Sequence, residues 1–167
     1  MSTGQCRAGD RTYVIRLARP EDLPQVVALD VEITGIEKPE YWNDIFGRYS
    51  CSGDETNPRA SKTRLNRFFL CAADGDKVLG FIIGEIRAWE FGSPPCGWVF
   101  AIGVDQEARG MRVAEMLFQA VCDRFRKAGV TKVRTMLARD DTLVMSFFRS
   151  QGLMAGPFIQ LETDLAP

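Results

Sequence analysis

Residues 96–128, CGWVFAIGVDQEARGMRVAEMLFQAVCDRFRKA, decide the fold. Their first part is apolar up to Val104 and predicts a strand. A tight polar turn around Arg109 and Gly110 follows, and apolar residues four positions apart then predict an amphipathic helix over residues 111–128. A turn that opens a helix presents free backbone N–H groups, where the helix dipole also favours negative charge. The stretch therefore predicts a binding site for a phosphorylated ligand.

The composition is that of one globular domain. The chain has 167 residues, of which 46% are hydrophobic, enough for a single core. Its net charge of -1 at pH 7 argues against nucleic acid as a partner. No apolar run reaches about 18 residues, and residues 1–11 lack an apolar signal core, so we expect no membrane partner and no secretory signal.

The cysteine and histidine counts narrow the chemistry. Five widely spaced cysteines are odd in number and favour reduced thiols, which predicts a cytoplasmic protein. The absence of histidine excludes Ser-His-Asp and Cys-His catalysis and His-based zinc sites, and we expect no metal. Acid–base chemistry must then come from Asp, Glu, Tyr, Cys, Lys, the backbone or water.

The remaining elements follow a mixed α/β order. We expect a flexible tail over residues 1–12 and one domain over residues 13–167. The predicted strands are residues 13–18, 68–73, 78–89, 98–104, 132–138 and 158–165, with a D-G hairpin turn at residues 74–76. The other predicted helices are residues 20–34, ended by Gly35, then Pro39–Tyr49, and Thr142–Ser150, closed by Gly152. Residues 50–62 read as a loop.

Residues 104–114, VDQEARGMRVA, resemble the acyl-CoA-binding motif of the GNAT superfamily of N-acyltransferases. The family pattern is Arg or Gln, two residues, Gly, one residue, then Gly or Ala. Arg109 and Ala114 match it, and Gly110 matches a frequent glycine after the first position. Arg112 stands where the family has glycine, and we expect a helical φ there, which would carry no backbone penalty.

Residues 141–153, DTLVMSFFRSQGL, are similar to a later helix of that family. Asp141 replaces the usual Asn, Phe148 the usual Tyr, and Leu153 the usual Phe. The resemblance implies an α/β (α+β) fold of a single domain. Its mixed, mostly antiparallel central sheet would have splayed central strands and helices on both faces.

The resemblance also implies a function and a cofactor site. The function is transfer of an acetyl group from acetyl-CoA, as co-substrate, to an amine of a small molecule or protein by direct attack. The backbone of Ile102, Gly103 and Val104 would bind the pantetheine arm. The turn residues would hold the pyrophosphate: Arg109, Gly110, Met111, Arg112, Val113 and Ala114. Asp141 and Phe148, in the later helix region, are the other two cofactor-binding residues that the resemblance implies.

The proton-transfer groups are the least typical part. Phe148 replaces the family's acid, and Trp98 stands where some members have a Glu base. The acids left near the expected acceptor cleft are Glu32, Glu85, Glu90 and Asp105.

We favour Glu85, because burial within an apolar strand would raise its pKa toward a working range. An alternating strand with Glu85 facing solvent is the alternative. Tyr41 is a candidate proton donor.

The alternative function is that of a catalytically weak acyl-CoA sensor or interaction module of the same fold. The predicted final apolar strand favours a homodimer.

Overall fold

The computed structural model of the chain describes residues 4–8, 11–50 and 66–165. The chain divides into two compact units, Met1–Met136 and Leu137–Pro167. The described part of the first unit contains six strands and three α-helices, and that of the second contains one α-helix.

A six-stranded sheet in the order β1-β2-β3-β4-β5-β6 forms the first unit. Its strands are β1 (Gly4–Ala8), β2 (Arg11–Leu17), β3 (Arg67–Asp74), β4 (Lys77–Arg87), β5 (Cys96–Val104) and β6 (Val133–Arg134). Every neighbouring pair is antiparallel except β5 and β6, which are parallel. The sheet is therefore mixed and mostly antiparallel, as predicted.

The α-helices among the described residues of the first unit are α1 (Leu23–Thr34), α2 (Pro39–Tyr49) and α3 (Val113–Lys127). The helix of the second unit is α4 (Thr142–Ser150). The bounds of α2 and α4 are those that the sequence predicted. Gly35 ends α1 in the left-handed conformation, with φ of 70°, and its N–H donates to the Val31 carbonyl at 2.7 Å.

Helices cover both faces of the sheet, because β4 is apolar on both sides. Phe81 and Ile83 belong to a buried cluster with Val26 of α1 and Trp42 of α2. On the other face, a Cβ added at Gly84 would lie 2.9 Å from the ring of Phe125 in α3. Four of the apolar residues predicted to line α3 are at most 2% exposed, and two beside them, Met116 and Ala120, are half-buried: Val113, Leu117, Val121 and Phe125 form the buried row.

A buried ion pair connects β2 to the entry of α1. Asp22 is 3% exposed, accepts the Arg16 guanidinium at 2.8 Å and accepts the Arg19 backbone N–H at 2.7 Å. Burial alone would raise the pKa of Asp22, but these hydrogen bonds and the Arg16 charge outweigh it and lower the pKa below its usual range. Asp22 is therefore ionised and holds the first turn in place.

Three predictions about strands need correction. The predicted tail, residues 1–12, contains β1 and the start of β2, paired by backbone hydrogen bonds. The strand expected over residues 132–138 is only Val133–Arg134, and residues 158–165 form no strand. An apolar pattern needs a neighbouring strand for its backbone groups, and the described part of the second unit has none. Most of the predicted loop, residues 51–62, lies outside the described residues.

Candidate functional site

Strands β5 and β6 separate soon after they meet. They pair only at Gly97 with Val133 and at Trp98 with Arg134. The Thr135 hydroxyl then donates to the Val99 carbonyl at 2.8 Å, where the next bond of the ladder would otherwise form. From residue 100 to residue 104, β5 has no strand on this edge among the described residues. The central strands are therefore splayed, as the resemblance implied.

The register of β4 and β5 decides which backbone groups face the open edge. The Asp105 N–H donates to the Leu79 carbonyl at 2.9 Å, and Gly103 lies opposite Phe81. Hydrogen-bonded pairs alternate in antiparallel sheets, so Gly103 bonds to β4 while Ile102 and Val104 point their N–H and C=O groups away from it. Two of the three residues predicted on this strand can therefore bind a ligand through the backbone.

Gly103 serves packing instead. A Cβ at this position would lie 2.6 Å from the Phe81 ring and 3.0 Å from the Ile33 side chain. Glycine here lets Phe81 and α1 pack closely against β5.

The turn before α3 supplies a row of unused N–H groups. The N–H groups of Arg109 and Met111 donate within the turn, each at 3.2 Å to a carbonyl. Those of Gly110 and Arg112 have no acceptor among the described residues. Those of Val113 and Ala114 lie in the first helical turn, where no intrahelical acceptor exists. Four of the six predicted turn residues therefore offer a backbone donor to an anion.

The expectation of a helical φ at Arg112 is wrong. Its φ is 58°, in the left-handed region that non-glycine residues seldom occupy. The family's glycine at this position was the available signal, because a motif glycine marks a backbone that needs positive φ. The exposed Arg112 guanidinium bonds to Glu115, with 2.7 Å between Nε and Oε2.

Two side chains hold the turn from either end, and the sequence pattern revealed neither contact. The Tyr13 hydroxyl donates to the Met111 carbonyl at 2.9 Å. The Asp105 carboxylate accepts the Glu107 N–H at 2.8 Å and pairs with Lys77 at 3.2 Å. The backbone bond from Glu107 and the Lys77 charge hold the pKa of Asp105 below its usual range. Tyr13 resembles an ordinary core residue in the sequence, and its partner lies 98 residues away.

Glu85 lies opposite Trp98, beside the point where β5 leaves β6. Its carboxylate accepts the Tyr49 hydroxyl at 2.6 Å and the Arg87 Nε at 2.8 Å. Burial alone would raise its pKa, but these two bonds and the nearby cations outweigh it and lower the pKa. The raised pKa that we expected is therefore wrong, and so is the solvent-facing alternative, since the side chain is only 18% exposed.

The tyrosine that meets Glu85 is Tyr49, not Tyr41. Tyr41 is half-exposed near the start of α2, edge-on to Trp42 with 5.4 Å between ring centroids. Tyr49 is eight residues later, about 12 Å along the helix, and also packs edge-on to Phe100 at 5.5 Å. Burial raises the pKa of both phenols, and the bond to Glu85 raises that of Tyr49 further. Both are protonated at neutral pH.

The other candidate acids do not join this cluster. Glu32 is exposed and Asp105 pairs with Lys77, whereas the exposed Glu90 reaches the cluster only through Arg87, at 4.0 Å. In the second unit, Asp141 caps α4 by accepting the Val144 N–H at 3.0 Å, and Phe148 is buried. The role of Asp141 and Phe148 toward a cofactor stays a prediction.

Among the residues that the structure describes, every helix is too short or too polar to span a bilayer. No group of three or more Cys, Asp and Glu side chains among them is placed to hold a metal ion.

Comparisons with known proteins agree with this geometry. The chain is 32% identical over 89 residues to a mycothiol acetyltransferase from Kocuria rhizophila, which is 52% of this chain and 29% of that protein. The chain thus spans less than a third of this curated relative.

Solved structures share the fold at lower identity. An aminoglycoside antibiotic 6'-N-acetyltransferase from Acinetobacter baumannii is 16% identical, with a TM-score of 0.70 over 92% of this chain and 99% of that one. An aminoglycoside N-acetyltransferase in complex with CoA is 14% identical, with a TM-score of 0.70 over 92% and 95%. The family model for the acetyltransferase (GNAT) family matches residues 25–153, and the chain therefore belongs to that family.

Proposed function

We propose that this protein is an N-acetyltransferase that moves an acetyl group from acetyl-CoA to an amine by direct attack on the thioester. The observation that carries the proposal is the row of N–H groups without acceptors at residues 110 and 112–114. It directly follows a strand whose outer edge is open from residue 100 to residue 104. One end of the site suits a pyrophosphate, and the other suits an extended arm that carries amide groups.

The residues of this chain fit acetyl-CoA as the donor substrate. Ile102 and Val104 would bind the amides of the pantetheine arm through their backbone. The N–H groups of Gly110, Arg112, Val113 and Ala114 would bind the pyrophosphate, and the exposed Arg109 side chain adds positive charge beside them. Met111 contributes through the conformation of its peptide. Asp141 and Phe148 remain assigned to the cofactor by the motif alone.

Glu85 is our proposed acceptor-side carboxylate. Because its pKa is lowered, it is ionised at neutral pH and a weak base, so it suits binding and orienting the amine better than taking its proton. Correct positioning supplies a large part of the acceleration of such a reaction. Attack forms the C–N bond and breaks the C–S bond, the amine nitrogen gives its proton to water, and the thiolate product, whose pKa is not far above neutral, can leave without a dedicated acid. Tyr41 remains the proposed proton donor, although its raised pKa makes it a weak one.

We also propose an acceptor, an assembly and a cellular location for this protein. One relative is named for mycothiol and two structures of this fold for aminoglycosides, so we propose a small-molecule amine ahead of a protein amine. Cys71, Cys96 and Cys122 are free and buried, which supports a cytoplasmic location. Exposed apolar side chains in residues 158–165, among them Ile159 and Leu161, support a homodimer.

Thiol release and calorimetry test the proposal on the full chain. Purified protein is titrated with CoA, and thiol release from acetyl-CoA is then followed with aminoglycosides, simple amino sugars, polyamines and lysine-containing peptides. We expect CoA binding and amine-dependent release with at least one class of amine. CoA binding without turnover on any amine would overturn the enzyme and favour a sensor or interaction module.

A further inference from the structure

Tyr13 is a buried side chain that hydrogen-bonds to the turn at the proposed pyrophosphate site. It lies in β2, is 1% exposed, and donates its hydroxyl to the Met111 carbonyl at 2.9 Å. Met111 is itself buried, whereas Arg112 is exposed. The bond therefore fixes the inner side of a peptide whose outer side faces solvent.

Because of peptide geometry, this bond also fixes the direction of the Arg112 N–H. In a trans peptide, the Met111 carbonyl and the Arg112 N–H point in opposite directions. A carbonyl that points inward to Tyr13 therefore sends the Arg112 N–H outward, toward the side from which an anion would approach. This N–H is among those without an acceptor in the described part of the chain.

The orientation is held against a backbone preference. Arg112 has a φ of 58°, which disfavours any residue with a Cβ. Rotating the peptide between residues 111 and 112 by about half a turn would move Arg112 to the negative φ that it prefers and would turn its N–H inward. The Tyr13 hydroxyl opposes that rotation, because the rotated carbonyl would lose its buried donor.

We infer that Tyr13 is a positioning residue for the donor substrate: it holds the 111–112 peptide so that the Arg112 N–H points at the pyrophosphate of acetyl-CoA. The inference rests on the proposed function. It assigns a specific role to a tyrosine that lies outside the acyl-CoA-binding motif.

The test compares wild type with Tyr13→Phe, which keeps the ring and removes the hydroxyl. We expect the Kd for CoA and the KM for acetyl-CoA to rise about tenfold, the equivalent of one lost hydrogen bond, with kcat within about twofold. S-acetylpantetheine, which lacks the pyrophosphate, serves as the control donor, and its KM should stay unchanged.

The Arg112→Gly background separates positioning from damage to the fold. Glycine adopts positive φ readily, so it has less need of the Tyr13 bond. We expect the loss in CoA affinity between R112G and Y13F/R112G to be much smaller than that between wild type and Y13F. If Y13F alone does not fold, the test compares R112G with Y13F/R112G, each with acetyl-CoA and with S-acetylpantetheine. Positioning by Tyr13 then predicts a small loss of affinity toward acetyl-CoA and none toward S-acetylpantetheine.

Two results would overturn the inference about Tyr13 while the proposed function stands. One is a Kd for CoA that is unchanged in Y13F. The other is an equal loss toward acetyl-CoA and S-acetylpantetheine in either background, which indicates damage to the fold. Wild-type protein that does not bind CoA would overturn both proposals together.

Discussion

Replacing Gly97 with alanine tests the packing that positions the splayed strand. Gly97 is the first β5 residue paired with β6, and the Phe125 ring of α3 lies directly over it. A Cβ at Gly97 would be 2.4, 2.5 and 2.7 Å from three atoms of this ring. Phe125 is 0% exposed, and it also lines a surface cleft together with Cys122 and Val133.

The magnitude follows from the distance that the ring would have to move. Ordinary contact with a Cβ begins at 3.4 Å, so the ring must retreat by about 1 Å against a packed core. Overpacking of this kind destabilises a domain by about 1 to 3 kcal/mol, and three close ring atoms place Gly97→Ala near the upper value. With a urea m-value of about 2 kcal/mol/M, the unfolding midpoint should fall by about 1.5 M.

Urea denaturation of purified variants measures this change, and Gly47→Ala is the matched control. Gly47 lies inside α2 with nothing within 4 Å of an added Cβ. The same substitution should therefore stabilise the protein by about 0.5 to 1 kcal/mol there, through helix propensity alone. A Gly97→Ala midpoint equal to wild type would refute the reasoning, as would a Phe125→Leu background that relieves none of the loss.

Three further predictions concern charge and backbone. Glu85→Gln should lower kcat/KM by about tenfold to a similar extent across neutral and alkaline pH, because the carboxylate is already ionised; unchanged kinetics would remove Glu85 from the site. Arg112→Gly should raise the melting temperature measured by scanning fluorimetry, since glycine accepts a φ of 58°; a lower value would contradict the strain argument. The folded pKa of Asp22 is below its unfolded value of about 3.9, so its contribution to stability is present above that pH and lost as pH falls below it. In Asp22→Asn, the free energy of unfolding should therefore fall less steeply as the pH is lowered through this range; an unchanged pH dependence would assign the fall to other groups.

Much of the fold could be predicted from the sequence, because local chemistry determines it. Helices α2 and α4 begin and end where proline, the N-cap and the last periodic residue predict. The β3–β4 hairpin follows from a D-G turn between two apolar runs. These features depend on neighbours within a few residues, so one sequence is enough to place them.

The missed features depend on partners that are distant in the chain. Residues 158–165 carry a strand pattern, but a strand forms only where a second one can pair with it. Arg112 follows a turn whose backbone is held by Tyr13, so its φ could not be derived from its own helix propensity. The shift in the pKa of Glu85 was predicted in the wrong direction. Its burial could be inferred from the strand, but its hydrogen bonds to Tyr49 and Arg87 could not.

The sequence by itself determined the family, the order of the described elements from β2 to α4, and the place of the turn that we propose binds phosphate, since periodicity, turn residues and motif spacing are local properties. Only the tertiary structure decided which backbone groups of that turn and strand remain without partners. It also decided that Glu85 is kept ionised by hydrogen bonds from Arg87 and Tyr49, and that Tyr13 reaches Met111. Hydrogen bonding and charge pairing act over a few ångströms in space, and folding alone sets which distant residues come that close.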